Sequence, residues 1–471
     1  MAEGLISLRQ QRDDLEETIE DIAHDYLSEL VERCLVQVGR SGSTGTIKGC
    51  RIHDLVRDMC LLKAKEESFF QIKCSLQENT SSVAAEATQL RKIRRLAIYL
   101  DDENAYRLVS SRDETNGHVR SLLFFGPREW MPKSEKVLLS PLTNFKVLRV
   151  LKVERLWERE VELPSEIGNM VHLRFLSVRF SQIKTFPRSL GNLVCLQTLD
   201  FRVWYGDMVI PNVIMKMKQL RHLYLPREYR ANGKLKLSTL GHLHTLDSLS
   251  TGYCDLKDVG RLTNLRKLKI RVSNSLQNLE EILKSTGSTL NRIRSLIVFV
   301  DNNSSEGQAM QIVSSCRGIY KLRLEGPIAE LLKELHNYPN LTKLVLLRCG
   351  LKEDQMGILE KLPNLTILML IFEAFEENTK ILVFSKGGFP SLEFLNVQLM
   401  DQITEWRVEE GAMPRLCRLR TLPYGLRYLT NLRELTITRM RRELHRQIDE
   451  DGEDFYKIQH VSSLVIGEPL D

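Results

Sequence analysis

Asn340-Leu341-Thr342-Lys343-Leu344-Val345-Leu346-Leu347-Arg348-Cys349-Gly350-Leu351, followed by Asn364-Leu365-Thr366-Ile367-Leu368-Met369-Leu370, decides the fold. Both stretches spell Leu-x-x-Leu-x-Leu. The end of that pattern alternates as a short strand with one apolar face. One such strand cannot bury its face alone and needs a copy on either side. Copies lie in both directions. Upstream are Leu173-Leu176-Val178, Leu196-Leu199-Phe201, Leu220-Leu223-Leu225 and Leu265-Leu268-Ile270; downstream are Leu392-Leu395-Val397 and Leu432-Leu435-Ile437. Weaker copies begin at Ile93, Val119, Leu148, Leu246, Ile293, Ile319 and Leu416. Their mean spacing is about 24 residues, within the roughly 20–29 of leucine-rich repeats. From about Ile93 to Ile437 the sequence therefore predicts an α/β leucine-rich-repeat solenoid, a horseshoe of roughly 15 units. At ~4.8 Å per strand its inner arc is on the order of 65 Å, a scale that suits a macromolecular partner.

The array is uneven. The step from Leu246 to Leu265 is short, and that from Leu416 to Leu432 is too short for a full unit, so a degenerate turn or a lost segment is expected there. Asp301 to Gln308 and Phe372 to Lys386 read as loop insertions. Two copies extend to Leu-x-x-Leu-x-Leu-x-x-Cys-x-Leu, at Leu341–Leu351 and, with Thr251 for one apolar residue, at Leu246–Leu256. In this pattern the cysteine turns inward, so Cys349 and Cys254 are expected to be structural rather than nucleophilic.

The x positions of each copy face outward and are the candidate partner-binding surface. Along the chain they are Phe175, Arg179 and Phe180; His222, Tyr224 and Arg227; Lys267, Lys269 and Arg271; Lys321, Arg323, Lys343 and Arg348; then Ile367, Met369 and Phe372. This face grades from aromatic and basic, through basic, to apolar. The basic middle predicts docking of an acidic protein surface. The plainer alternative is that lysine and arginine only keep an exposed sheet soluble.

Composition narrows the class. The chain has 471 residues and 42% hydrophobic content, ordinary for a folded protein. No apolar run approaches the ~20 residues of a membrane span, and the first residues lack a signal-peptide core, so an intracellular chain with no integral membrane segment is expected. Nine scattered cysteines without a Cys-x-x-Cys pair argue against zinc and against a disulfide framework. No metal site is expected. Residues 1–90 carry 10 Lys/Arg and 16 Asp/Glu, whereas the remainder carries 57 and 45, which separates an acidic leading domain from a basic array.

That leading domain reads as helix, strand, Gly/Ser-rich turn, strand, helix. Thr18 is the expected N-cap, with Ile19, Ile22, Tyr26, Leu30 and Val31 on one helical face. Arg33–Val38 and Ile47–Ile52 read as strands around the loop Gly39–Gly45, and a second helix starts near His53. This is a winged-helix order. Asp13, Asp14, Glu16, Glu17, Glu20, Asp21, Asp25, Glu29 and Glu32 give the first helix the wrong sign for a phosphate backbone, so no nucleic-acid partner is expected.

Glu20-Asp21-Ile22-Ala23 and Tyr26 through Val38, with Arg51-Ile52-His53-Asp54-Leu55-Val56-Arg57-Asp58-Met59, resemble the winged helix that ends the nucleotide-binding (NB-ARC) module of plant intracellular immune receptors (NLRs). Glu453-Asp454-Phe455-Tyr456-Lys457-Ile458-Gln459-His460-Val461 resembles the C-terminal end of their coiled-coil subgroup. The resemblance implies a winged helix over 1–75, a linker over 76–92, repeats over 93–440 and a C-terminal cap and tail over 441–471. It implies that the repeats recognise a pathogen effector or a guarded host protein and restrain a nucleotide switch in the cytoplasm, with peripheral plasma-membrane attachment as a variant. It also implies that Ile52-His53-Asp54 matches the Met-His-Asp motif, whose histidine contacts the phosphate of ADP. His53 and Asp54 are thus the candidate cofactor-binding residues, against a purely helix-capping role. The match departs from the family in one respect: these 471 residues contain no GxxxxGK[ST] phosphate loop. No cofactor is therefore expected in this chain by itself, although the full-length family takes ADP or ATP. The rest of the nucleotide-binding module and the coiled coil are partners in cis or in trans. HExxH, GxSxG and paired-carboxylate signatures do not occur, so no catalytic residue and no enzyme activity are expected. A second class, a stand-alone repeat adaptor such as a ubiquitin-ligase substrate-binding subunit, would call for an F-box-like segment where the winged helix stands.

Overall fold

The computed structural model describes residues 2–3, 6, 19–41, 47–74, 93–99, 118–126, 145–155, 163–181, 183, 185–203, 208–273, 278–301, 306–328, 335, 338–400, 402–403, 405–420, 429, 431–437 and 461–466. The chain forms two compact units, residues 1–248 with 253–258, and residues 249–252 with 259–471.

The first unit opens with helix α1 (Ile19–Glu32). Cys34 takes a left-handed φ of 58°, and the N–H groups of Arg33, Cys34 and Leu35 return to carbonyls of Glu29, Val31 and Leu30. That turn satisfies the helix end with a cysteine where glycine is commoner. Residues 33–35 are thus a helix cap, and the strand expected from Arg33 begins at Val36. Strand β1 (Val36–Ser41) pairs antiparallel with β2 (Ile47–Ile52), and helix α2 (Asp54–Glu66) follows. Thr18 lies outside the described residues.

A parallel sheet then builds rung by rung through β3 (Gln71–Cys74), β4 (Arg95–Tyr99), β5 (Ser121–Phe125), β6 (Val150–Glu154), β7 (Phe175–Arg179) and β8 (Thr198–Asp200). Two-residue β9 (Val209–Ile210) lies outside it. Strand β8 pairs with β10 (His222–Tyr224) and β10 with β12 (Thr245–Ser250), while β9 pairs with β11 (Arg230–Ala231). The sheet begins inside the span expected for the winged helix. Strand β3 escapes the leucine pattern because its register sets Gln71 and Lys73, rather than leucines, opposite Leu96 and Ile98.

The inward residues explain the order. Leu173, Leu176 and Val178 are fully buried, as are Leu196, Leu199, Leu220 and Leu223. Each buried leucine contributes roughly 1.5–3 kcal/mol. After several strands the chain returns through a short 3-10 turn entered by proline, at Ser165–Asn169 after Pro164 and Arg188–Asn192 after Pro187. Successive turns stack so closely that a Cβ on Gly168 would stand 2.5 Å from the Ser189 carbonyl oxygen. Leu223 pairs with Leu246, so Leu246 is the second leucine of its unit and Leu243 is the first. The expected short step from Leu246 is therefore a frame error. Its cause is Ser248, whose left-handed φ of 65° delays the next inward residue to Leu249.

The second unit continues the same design with β13 (Lys267–Val272), β14 (Ser295–Val300), β15 (Lys321–Glu325), β16 (Lys343–Leu347) and β17 (Ile367–Ile371). Helices α3 (Leu279–Leu290) and α4 (Glu306–Ser314) provide the return segments between β13 and β15, α3 burying Ile282, Leu283 and Leu290. The expected insertion at 301–308 thus runs into helix from Glu306. The other, at 372–386, contains β18 (Ile381–Phe384), which alternates and buries Leu382 and Phe384. Strand β19 (Phe394–Gln398) rejoins the main sheet, while β18 pairs with β20 (Glu405–Val408). Short β21 (Arg418–Arg420) pairs with β19 and with β22 (Glu434–Ile437), so Leu416 starts a complete rung. The rest of the expected short step, residues 421–428, lies outside the described residues. Finally β23 (Ser463–Ile466) pairs with β22. Val461, Leu464 and Ile466 repeat the leucine frame with β-branched substitutes, which carries the sheet into the span expected as cap and tail.

Candidate functional site: the outward faces of the repeat sheet

In the first unit the outward face is already in use. His222, opposite Thr198 and Thr245, donates from Nε2 to Glu20 Oε1 of α1 at 2.9 Å. Its Nδ1 accepts from the Thr245 hydroxyl at 3.2 Å, which fixes the ring orientation. The hydrogen bond from His222 holds the Glu20 carboxyl down at about 2, against the opposing effect of burial. At the start of the sheet the Glu3 carboxylate pairs with Arg95, and the Glu3 carbonyl accepts from Arg149. Beside His222 sits a self-neutralised cluster. Asp200 takes a bidentate pair from Arg202 at 2.9 and 2.6 Å, with Arg179 3.7 Å away. The Arg202 guanidinium lies over the Tyr224 ring at 4.3 Å. Burial works against its charge, but Asp200 outweighs that and raises the Arg202 pKa; burial raises that of Tyr224.

The structure therefore joins His222 and Tyr224 with Arg179 through residues that the sequence reading did not select, Asp200, Arg202 and Glu20. Phe175 lies opposite Val150 and Thr198 on the same face. Phe180, at a left-handed φ of 54° just past β7, stands under the Arg179 guanidinium at 4.9 Å. Arg227 is exposed in the bend after β10 and is not on the sheet.

In the second unit the expected basic middle is partly satisfied from within. Lys269 lies over the Phe299 ring at 5.1 Å, Arg271 pairs with Asp301 at 3.3 Å, and Arg323 pairs with Glu325 at 3.2 Å. Lys267 and Lys321 are exposed, and Lys321 stands directly opposite half-buried Lys343. Arg348 is exposed, its guanidinium 4.6 Å over Phe372. Beyond these cations, β16 and β17 turn Val345, Leu347, Ile367, Met369 and Ile371 outward, opposite in sense to buried Leu344, Leu346, Leu368 and Leu370.

A further column lies one residue before each strand. Arg94, Arg120, Arg149 and Arg174 occupy four successive rungs, the N–H groups of the last three each bonding to the carbonyl of the arginine before at 2.7–2.8 Å, and Arg221 follows after Gln197. Burial lowers the Arg149 pKa, and the like charges of Arg120 and Arg174 add to that. The signal was present as Leu-Arg-x-Leu, for example Leu173-Arg174-Phe175-Leu176, but only the ladder shows the arginines to be neighbours.

His53 is exposed at the N-cap of α2 and makes no capping hydrogen bond, which removes the helix-capping alternative for its side chain. Asp54 is exposed and pairs with Arg57 at 3.2 Å. His53 and Asp54 thus both stand exposed at the start of α2. Cys254 and Cys349 are buried as expected, and Cys349 Sγ–H meets the carbonyls of Leu347 and Leu324. Burial pushes the Cys349 thiol far up and that of Cys316 up to about 12, so neither forms a thiolate nucleophile at neutral pH. No group of metal-ligating side chains is found among the described residues, and none of their helices is long and apolar enough to cross a membrane.

A leucine-rich repeat region family model matches residues 118–464, and a disease resistance protein winged helix domain model matches residues 1–60. In Arabidopsis thaliana, Probable disease resistance RPP8-like protein 2 is 36% identical over 467 residues, 95% of this chain and 49% of that protein. Disease resistance protein RPP8 is 34% identical over 459 residues, 94% and 49%. The chain thus spans about half the length of the curated relatives it matches. Among solved structures, a TDR receptor aligns over 85% of this chain and 70% of its own at 16% identity, with a TM-score of 0.47. By its winged helix, its repeat array and its relatives, the chain belongs to the leucine-rich-repeat disease-resistance family, the plant NLR receptors.

Proposed function

We propose that this chain is the sensing and restraining part of a disease-resistance receptor: its repeats recognise a pathogen effector or a guarded host protein, and its winged helix is held against them at rest. One observation carries the reading, the Glu20–His222 contact between α1 and the outward face of β10. A charged hydrogen bond across that surface stabilises one arrangement of helix and repeats. It is also breakable, since Glu20 Oε2 is buried without a hydrogen-bond partner among the described residues. A buried acceptor left unmade costs free energy and weakens the restraint.

The winged helix has a second open side. Leu55, Met59 and Leu62 share one face of α2 and are 77%, 61% and 67% exposed. That face, with His53 at its start, suits the remainder of a nucleotide-binding module, with His53 donating to a phosphate of ADP and Asp54 next to it. The chain carries no group for phosphoryl transfer on its own account in this reading; it binds and restrains.

The test joins this chain to the part of RPP8 that the match does not cover and scores leaf cell death. The joined receptor is quiet, and Glu20→Ala or His222→Ala makes it active without any ligand. If both variants stay as quiet as the parent while accumulating to the same level, the contact restrains nothing.

A further inference from the structure

The outward face of β16 and β17 breaks the rule that the solvent side of a repeat sheet is polar. Register puts Val345 opposite Met369 and Leu347 opposite Ile371, with Ile367 beside them, so five apolar side chains lie together on two rungs. Val345 and Ile367 are buried, while Leu347, Met369 and Ile371 beside them are half-exposed. Phe372 and Leu399, both with left-handed φ, extend the patch at the strand exits, and Leu399 is 40% exposed. An apolar patch of this kind on a sheet face marks a contact surface.

Its borders are charged. On the strand-entry side stand Lys321 and Lys343, directly opposite each other, and Arg348 stands at the exit. The carboxylate in register with Leu347, that of Glu325, is buried and paired with Arg323. Exposed Glu373 and Glu393 flank the other side. The field over the patch is therefore positive toward β15.

We propose that this strip docks a partner segment carrying a large apolar anchor beside carboxylates. The anchor seats on Leu347, Met369 and Ile371, and the carboxylates lie toward Lys321 and Lys343. This rests on the reading of the repeats as a protein-recognition surface and names the chemistry that they would select. Apolar contact supplies affinity, and the cations supply register and on-rate.

Selecting a random dodecapeptide phage library on the full chain tests it. Enriched peptides are expected to be net acidic with a Phe, Leu, Met or Trp anchor. Their affinity, read by fluorescence anisotropy, should fall at least about tenfold with Ile371→Glu and about two- to fivefold with Lys321→Glu. The Lys321 side chain is exposed, so Lys321→Glu serves even if Ile371→Glu impairs folding. No enrichment, neutral or cationic peptides, or equal binding to both variants overturns the proposal. So does a chain that self-associates through this face and becomes monomeric with Ile371→Glu. If the Glu20→Ala receptor is active while the strip selects nothing, the strip fails and the receptor reading stands. If the strip selects acidic peptides while the receptor stays quiet, the restraint fails and the strip stands.

Discussion

The two units have the same inside and different outsides. Leu199 in the first and Leu344 in the second are equally buried, at the same place in the same frame. Outward, the first unit presents Ser177, Asp200, Tyr224 and His222, and holds the chain's own Glu20 and Glu3. The second presents lysines and then an apolar strip. Stacking physics fixes the inward residues and leaves the outward ones free to differ. That freedom is where function enters.

Core substitutions give the largest effect and should erase the difference between units. Leu199→Ala and Leu344→Ala should each cost about 3 kcal/mol of stability in chemical denaturation, because each leaves a cavity in a fully buried site. A marked inequality would mean that the two cores are not packed alike.

The next effect belongs to the first unit alone. Glu20→Ala should cost about 1 kcal/mol, the value of a charged hydrogen bond discounted for partial exposure. The Glu20 carboxyl is depressed in the folded chain from 4.5 to about 2, so its contribution is fully present above about 4.5. It is lost as pH falls from there toward 2. A wild-type minus Glu20→Ala stability difference that shrinks over that window, in guanidinium titrations, checks the sign; a difference that grows on acidification contradicts it.

Smallest is a chemical contrast. Exposed Cys195 in the first unit should react with iodoacetamide in the native chain, while Cys316 and Cys349 in the second react only on unfolding. Mass spectrometry of the digested chain reads this directly.

The inward half of this structure was legible because the leucine frame is itself the physics: Leu173, Leu176 and Val178 are spaced as a strand requires. It failed where the backbone bends, at Ser248, and where a rung swaps leucine for other residues, as at Gln71 and Val461. The outward half was only half legible. Lys267, Lys269 and Arg271 look alike in the sequence, but register gives Lys269 a ring and Arg271 a carboxylate from the neighbouring rung. His222 was selected as a partner-binding residue, yet nothing local to it announces Glu20, some two hundred residues away. Contacts across rungs and between domains depend on pairing that a one-dimensional pattern does not carry.

The central claim is that α1 closes over the outward face of the first unit through His222. Diethyl pyrocarbonate labelling of histidines, followed by mass spectrometry, tests it most directly. His53 should be modified rapidly in the native chain and His222 slowly, and Glu20→Ala should speed His222 without changing His53. Equal rates for His53 and His222 in the native chain, or a His222 rate indifferent to Glu20→Ala, would contradict the account.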